Sequence, residues 1–221
     1  MARLLILKYK KCLYWLFALF VLPVSGCFYV PNSDYSTQLK QVPAFLSNHF
    51  PKEIPNNLQA SLITNTDTTS HCISYMLYQY GDEAIKMFNV SNTGNRVIAK
   101  YNATDTSIIS IKRETVTYWN PEKKKYYIDT LQYNRSYYPV PFFETENLLS
   151  YKGDVKDLYS SKTPSGLSGD FMLYVFDFKP GKYWKGLKPS DYMPRGWENG
   201  YSKGAAISKS KSVVIHWFVV W

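Results

Sequence analysis

A histidine beside a cysteine, His71-Cys72, is the first pair in this sequence with the makings of catalysis. A thiolate activated by an imidazole attacks carbonyl carbon, and the base must lie within hydrogen-bond reach of the sulfur. Neighbouring side chains on a strand point to opposite faces, so adjacency separates these two groups. A nucleophilic Cys72 also needs surroundings that lower its pKa, which residue order alone does not supply. Gly166-Leu167-Ser168-Gly169 approximates a nucleophile elbow, but that turn needs a glycine two residues after the serine, and Asp170 stands there. Its ordinary meaning is a turn between strands. Ser208-Lys209-Ser210-Lys211 has the serine–lysine spacing that places an amine one helical turn from a nucleophile. Here the four residues fall in an expected hairpin turn, where that geometry is lost. His216 shares a strand face with Val214, Phe218 and Val220, which makes it a buried, hydrogen-bonded core histidine.

Metal and phosphate chemistry have no signature. There is no HExxH, CxxC, calcium-binding loop or glycine-rich phosphate cradle. Acids stand singly, with Asp82-Glu83 and Glu144/Glu146 as the close pairs, and nothing indicates the cleft that paired carboxylates require. The expectation is no catalytic residue, no metal and no cofactor.

The elements that position these residues are mostly strands. Segments rich in β-branched and aromatic residues occur at 73–78, 96–101, 107–112, 125–129 and 171–176, separated by Asn, Gly, Asp and Pro. Val213 to Trp221 holds one polar side chain in nine and predicts a strand covered on both faces. Ala205–Ser208 is its expected hairpin partner, turning through Lys209-Ser210-Lys211. Short helices are expected at 82–88 and 144–151, and a helical turn at 43–50 with Pro43 at its first position. Pro31, Pro43, Pro51 and Pro55 make residues 28–57 a tether with short turns. No internal repeat is found. The predicted fold class is α+β and β-rich: a single antiparallel-sheet domain with a few short helices behind an N-terminal signal and tether.

Arg3, Lys8, Lys10 and Lys11 open the chain without an acid among them, and an apolar run follows from Leu13 to Val24. This order describes a secretory signal peptide. Val24-Ser25-Gly26-Cys27 then resembles the lipobox of bacterial lipoproteins. The resemblance covers the leader alone. It implies cleavage before Cys27, diacylation of that cysteine and acylation of the new amino terminus. Phe28, where an aspartate commonly retains such proteins at the inner membrane, points to the outer membrane. The division that follows is a signal peptide at 1–26, lipidated Cys27 and a Pro-rich tether at 27–57, and a globular domain at 58–221. Two other readings of the leader stay open: an uncleaved anchor, and a secreted protein glycosylated at the sequons of Asn89, Asn102 and Asn134.

Losing residues 1–26 removes four of 26 basic residues and none of the 17 acids, so the net charge falls from +9 to +5. That modest excess suits an anionic membrane surface and is no nucleic-acid footprint. Cys12 leaves with the leader and Cys27 carries lipid, so Cys72 has no disulfide partner. Aromatic residues make up 17% of the chain, which excludes a disordered class. They gather in two stretches. Trp119, Tyr126, Tyr127, Tyr133, Tyr137 and Tyr138 interleave with Lys123, Lys124, Lys125 and Arg135. The segment 182–203 combines Tyr183, Trp184, Tyr192, Trp197 and Tyr201 with Arg195 and four lysines. Rigid aromatics beside arginine anchor protein interfaces. The second segment, through Trp184, Tyr192, Arg195, Trp197 and Tyr201, is the expected binding surface. The leading expectation is a non-enzymatic binding or scaffolding subunit of the bacterial envelope, an outer-membrane lipoprotein held through its lipid and docked on an envelope protein. A carbohydrate-binding module using Trp184 and Trp197, and a hydrolase of unrecognised type, remain alternatives.

Overall fold

The computed structural model describes residues 32–88, 96–111, 137–143, 163–190 and 193–221, and the backbone of strand residues 118–120 and 125–127. Its centre is β10 (Val213–Val220), in which every residue is buried. The reason is compositional: with apolar side chains at both odd and even positions, neither face of this strand is stable against water. It lies between β2 (Ile73–Tyr80) and β9 (Gly200–Ser208) in a six-stranded sheet of order β1-β2-β10-β9-β8-β3, where β1 is Gln59–Asn65, β3 Ala99–Asn102 and β8 Met172–Pro180. All five pairings are antiparallel. Two small pairs stand outside it: β4 (Ser110–Ile111) parallel to β7 (Val140–Pro141), and β5 (Tyr118–Asn120) antiparallel to β6 (Lys125–Tyr127). Three short helices complete the described chain: α1 (Asn32–Lys40), α2 (Ala44–Ser47) and α3 (Asp82–Met87). The fold is β-rich α+β, as the strand segments predict.

The β9–β10 hairpin is in register, Ser208 opposite Val213, and turns through Lys209–Ser212 with Ser212 at φ 52°. Its first strand starts five residues earlier than expected. Gly200 and Gly204 are poor strand formers, but they lie beneath the indoles of Trp221 and Trp217, where a Cβ would collide. Strand 171–176 extends to Pro180, through a bulge between Val175 and Asp177. The segments at 96–101 and 107–112 shrink to β3 and β4. β1 is an addition that the segment pattern does not contain. The expected helix at 144–151, the end of the strand at 125–129 and the leader lie outside the described residues.

The sheet is covered on both faces. One face carries Met76, Tyr78, Leu173, Val175, Ile215, Trp217, Val219 and Trp221, packed with Ile109, Ile111, Phe143, Leu167 and Phe171. The other carries Tyr75, Leu77, Tyr201, Val214 and Phe218, and residues 32–58 lie across it. The expected tether is therefore corrected from Asn32 onward. Tyr35, Val42, Leu46, Phe50, Ile54 and Leu58 are all buried there, and the Tyr35 hydroxyl donates to the Pro51 carbonyl at 2.5 Å. Proline at Pro43 starts α2 and costs no hydrogen bond, so the segment stays compact despite its composition. Among the described residues, no helix is long and apolar enough to cross a membrane.

Asp170 ties the hairpin tip to the start of β8. Its carboxylate accepts from the hydroxyls of Ser168 and Ser208 at 2.5 Å each and of Ser210 at 2.6 Å. Desolvation pushes the carboxyl pKa up, but the three hydroxyls outweigh it and hold the group below the usual carboxylate range. Asp170→Ala is expected to cost about 1 kcal/mol at neutral pH, since hydrogen bonds to an exposed charge are discounted by solvent. A carboxyl depressed in the folded state contributes fully above about pH 4 and less as pH falls further. Urea midpoints of the two proteins should therefore converge in strong acid.

Candidate functional site

A polar seam runs through the apolar contact between residues 32–58 and the sheet. α2 and the turn after it bring Phe45, Asn48 and His49 against the face of β8, β9 and β10. Alternation along β9 aims Tyr201 and Lys203 at this face, and alternation along β10 aims His216. The bulge in β8 adds Phe176, whose ring lies 5.7 Å from that of His49, and Asp177, which pairs with Lys203 across the strands.

Lys203 is buried, and its ammonium donates to the Phe45 carbonyl at 2.6 Å and to Asn48 Oδ1 at 2.7 Å. Burial lowers its pKa; Asp177 opposes that and Lys179 adds to it. Asp177 accepts from the Tyr201 hydroxyl at 2.5 Å. Burial, together with that bond, raises the Tyr201 phenol. His49 Nε2 lies 2.9 Å from the Trp217 carbonyl oxygen. A carbonyl only accepts, so neutral His49 carries its proton on Nε2 and its Nδ1 is a bare lone pair. The His216 ring sits 6.5 Å away. Nδ1 of both rings is buried with no hydrogen-bond partner. Phe50 and Phe88 pack on His216, at 6.0 and 5.7 Å between ring centres. Burial, then His216 and Lys203, holds His49 well below the usual histidine range. Burial takes His216 down to about 4, against a backbone hydrogen bond with His49. Both imidazoles are neutral at pH 7, and what this arrangement does chemically is resist protons.

The expected binding surface is divided by the fold. Trp184 is half-buried with Tyr183 and Leu187 on the face covered by residues 32–58. Trp197 is half-buried against the opposite core, 4.7 Å from Phe178, and its carbonyl accepts from the Trp221 indole at 2.7 Å. Tyr201 is buried within the seam, and Arg195 is exposed. Tyr192 and Cys27 lie outside the described residues. Trp184 and Trp197 therefore do not form one aromatic platform.

The candidate nucleophiles are also dispersed. Cys72 is buried and in no disulfide, while His71 is exposed. Ser168 and Ser208 both donate to Asp170, and the backbone N–H of Lys211 donates to Ser208 Oγ at 3.2 Å within the hairpin turn. Among the described residues, no three His, Cys, Asp or Glu side chains come together as a metal site. His216 is buried on the face its spacing predicts. His49 and Asp177 carry no motif, and Lys203 enters the sequence reading only as one of the lysines of the 182–203 segment. No known protein family, curated protein or solved structure matches this chain.

Proposed function

We propose that this protein is a lipid-anchored subunit of the bacterial envelope that binds a protein partner beside the outer membrane. The observation that carries this is Cys27, placed after a basic start, an apolar run and Val24-Ser25-Gly26. The described fold begins five residues beyond it, at α1, so an anchored Cys27 would hold the body close to the bilayer. A binding role is favoured over a catalytic one because Ser168 and Ser208 are engaged by Asp170 and the Cys72 thiol is buried. The partner surface is the stretch around Trp184, where Lys182, Lys185 and Lys188 are exposed around a half-buried indole. A glycan role is less well supported, since Trp184 and Trp197 serve opposite faces.

The test is the intact mass of the protein from its own membranes. The expected chain starts at Cys27 and carries fatty acyl groups, and Cys27→Ser abolishes both the acylation and the membrane fractionation. A full-length, unmodified chain would overturn the anchor. A stoichiometric protein that copurifies in mild detergent and is lost in Lys185→Glu would identify the partner surface.

A further inference from the structure

We propose that residues 32–58 are a strap latched onto the sheet only while His49 and His216 are both uncharged, and that mild acid unlatches it. The strap is an appendage to the sheet in its bonding. It pairs with no strand among the described residues. Its polar ties to the sheet include the bond between His49 and the Trp217 carbonyl, the backbone hydrogen bond between His216 and His49, and the bonds from Lys203 to Phe45 and Asn48. The rest of its hold is the burial of Tyr35, Val42, Leu46, Phe50 and Ile54. The sheet has hydrogen-bonded ladders and a second core on its far face, so it does not depend on the strap in the same way. A segment held by side chains alone opens at lower free energy than one held in a ladder.

The latch is a pair of imidazoles from the two sides of this contact. His49 comes from the strap and His216 from β10, 6.5 Å apart, each with a buried Nδ1 that has no partner. A second proton on either ring falls on a buried nitrogen that has no hydrogen-bond partner, among Phe50, Phe88 and Phe176, and the Gly204 backbone near His49 offsets only part of that cost. It also arrives beside the Lys203 ammonium, so the contact would hold two or three cations.

The surrounding charges do not relieve this. On β8, Asp177 is engaged by Tyr201, and Lys179 adds positive charge. β2 offers this face Tyr75, Leu77 and Gln79, none charged at neutral pH. On α3, Asp82 accepts from Ser212, and Glu83 pairs with Lys86 on the outside. On the strap, Asp34, Lys40, Lys52 and Glu53 are exposed.

The direction follows from proton linkage. Undocked, the two imidazoles reach water and take protons near pH 6.5. Docked, His216 refuses its proton until about pH 4, and burial holds His49 well below the usual histidine range. The undocked state therefore holds more protons across this window. The latch is fully set above pH 6.5 and weakens as pH falls toward 4. Each proton taken up shifts the docking equilibrium about tenfold per pH unit.

Hydrogen exchange of the full chain, corrected for the intrinsic pH dependence of exchange, tests this between pH 7.5 and 4.5. Strap amides should lose about tenfold protection per pH unit below 6.5 for one proton and about a hundredfold for two. Amides of β2, β9 and β10 should hold theirs over the same range. The variant His49→Gln/His216→Gln keeps a donor for the Trp217 carbonyl but has nothing to titrate, so its strap should stay protected at pH 5. A flat wild-type profile, or loss of strap and sheet protection together, would overturn the proposal even if the double variant fails to fold. So would an undiminished pH response in a folded double variant.

Discussion

The Gly204→Ala protein is expected to be destabilised by about 3 kcal/mol or more. A methyl group on Gly204 would stand 2.0 Å from the Tyr174 carbonyl oxygen and 2.6 Å from Cζ2 of Trp217. The first neighbour is backbone in the adjacent strand β8, so a rotamer change cannot clear it. The second is the edge of a fully buried indole with no room to retreat. Overpacking in a close-packed core costs roughly 1–3 kcal/mol, and the backbone contact places this variant at or above the top of that range. Against a typical domain stability of about 5–15 kcal/mol, that leaves a protein that unfolds at low denaturant or accumulates poorly. The check is the urea midpoint beside that of Gly196→Ala. Gly196 has φ +88° but open space around it, so its variant should show only the smaller cost of a strained backbone. Equal midpoints for the two proteins would mean that β9 can move away from Trp217.

Trp217→Ala should be comparably damaging for the opposite reason. This indole is fully buried at the centre of the sheet, crosses Phe143 edge-on at 6.5 Å between ring centres, and lies over Gly204. Truncating a buried Trp to Ala costs about 3–5 kcal/mol, the lost transfer free energy plus the cavity left behind. Trp217→Phe should cost less. The phenyl ring retains much of the contact and removes an indole N–H that is buried without a partner. The pair Trp217→Ala and Gly204→Ala should be non-additive, since the alanine methyl partly occupies the vacated space while its clash with Tyr174 remains. A double-mutant cycle on denaturation midpoints measures that coupling.

What was readable in advance follows from where each residue's partner lies. β10 was legible because its stabilising environment, apolar on both faces, is written in its own nine residues. The hairpin turn was legible because turn chemistry is local. β1 was not, because Gln59-Ala60-Ser61-Leu62-Ile63-Thr64-Asn65 mixes polar and apolar side chains at the edge of the sheet, and its identity comes from pairing with β2. The strap reads as a tether because its prolines mimic a linker. Its burial pattern was nonetheless present: Val42, Leu46, Phe50, Ile54 and Leu58 recur every four residues and share one inward side. The split of Trp184 from Trp197 was beyond reach, since it depends on the segment between them passing from one face of the sheet to the other. The seam was hidden for the same reason. His49 and Trp217 are 168 residues apart, and no local spacing announces their bond.

The placement of β2 against β10 governs when this protein can fold. The two strands meet in register, Ile73 opposite Val220 and Tyr80 opposite Val213, although they are far apart in the sequence. Pairings this remote close a very long loop before any contact repays its entropy, and domains built on them assemble slowly. Until β10 has been delivered, β2 lacks a neighbour on one side and the indole that fills the core is missing. A chain that has not yet delivered β10 therefore cannot complete this sheet. If the chain is exported as proposed, late closure of the central pairing leaves the sheet incomplete until β10 has crossed.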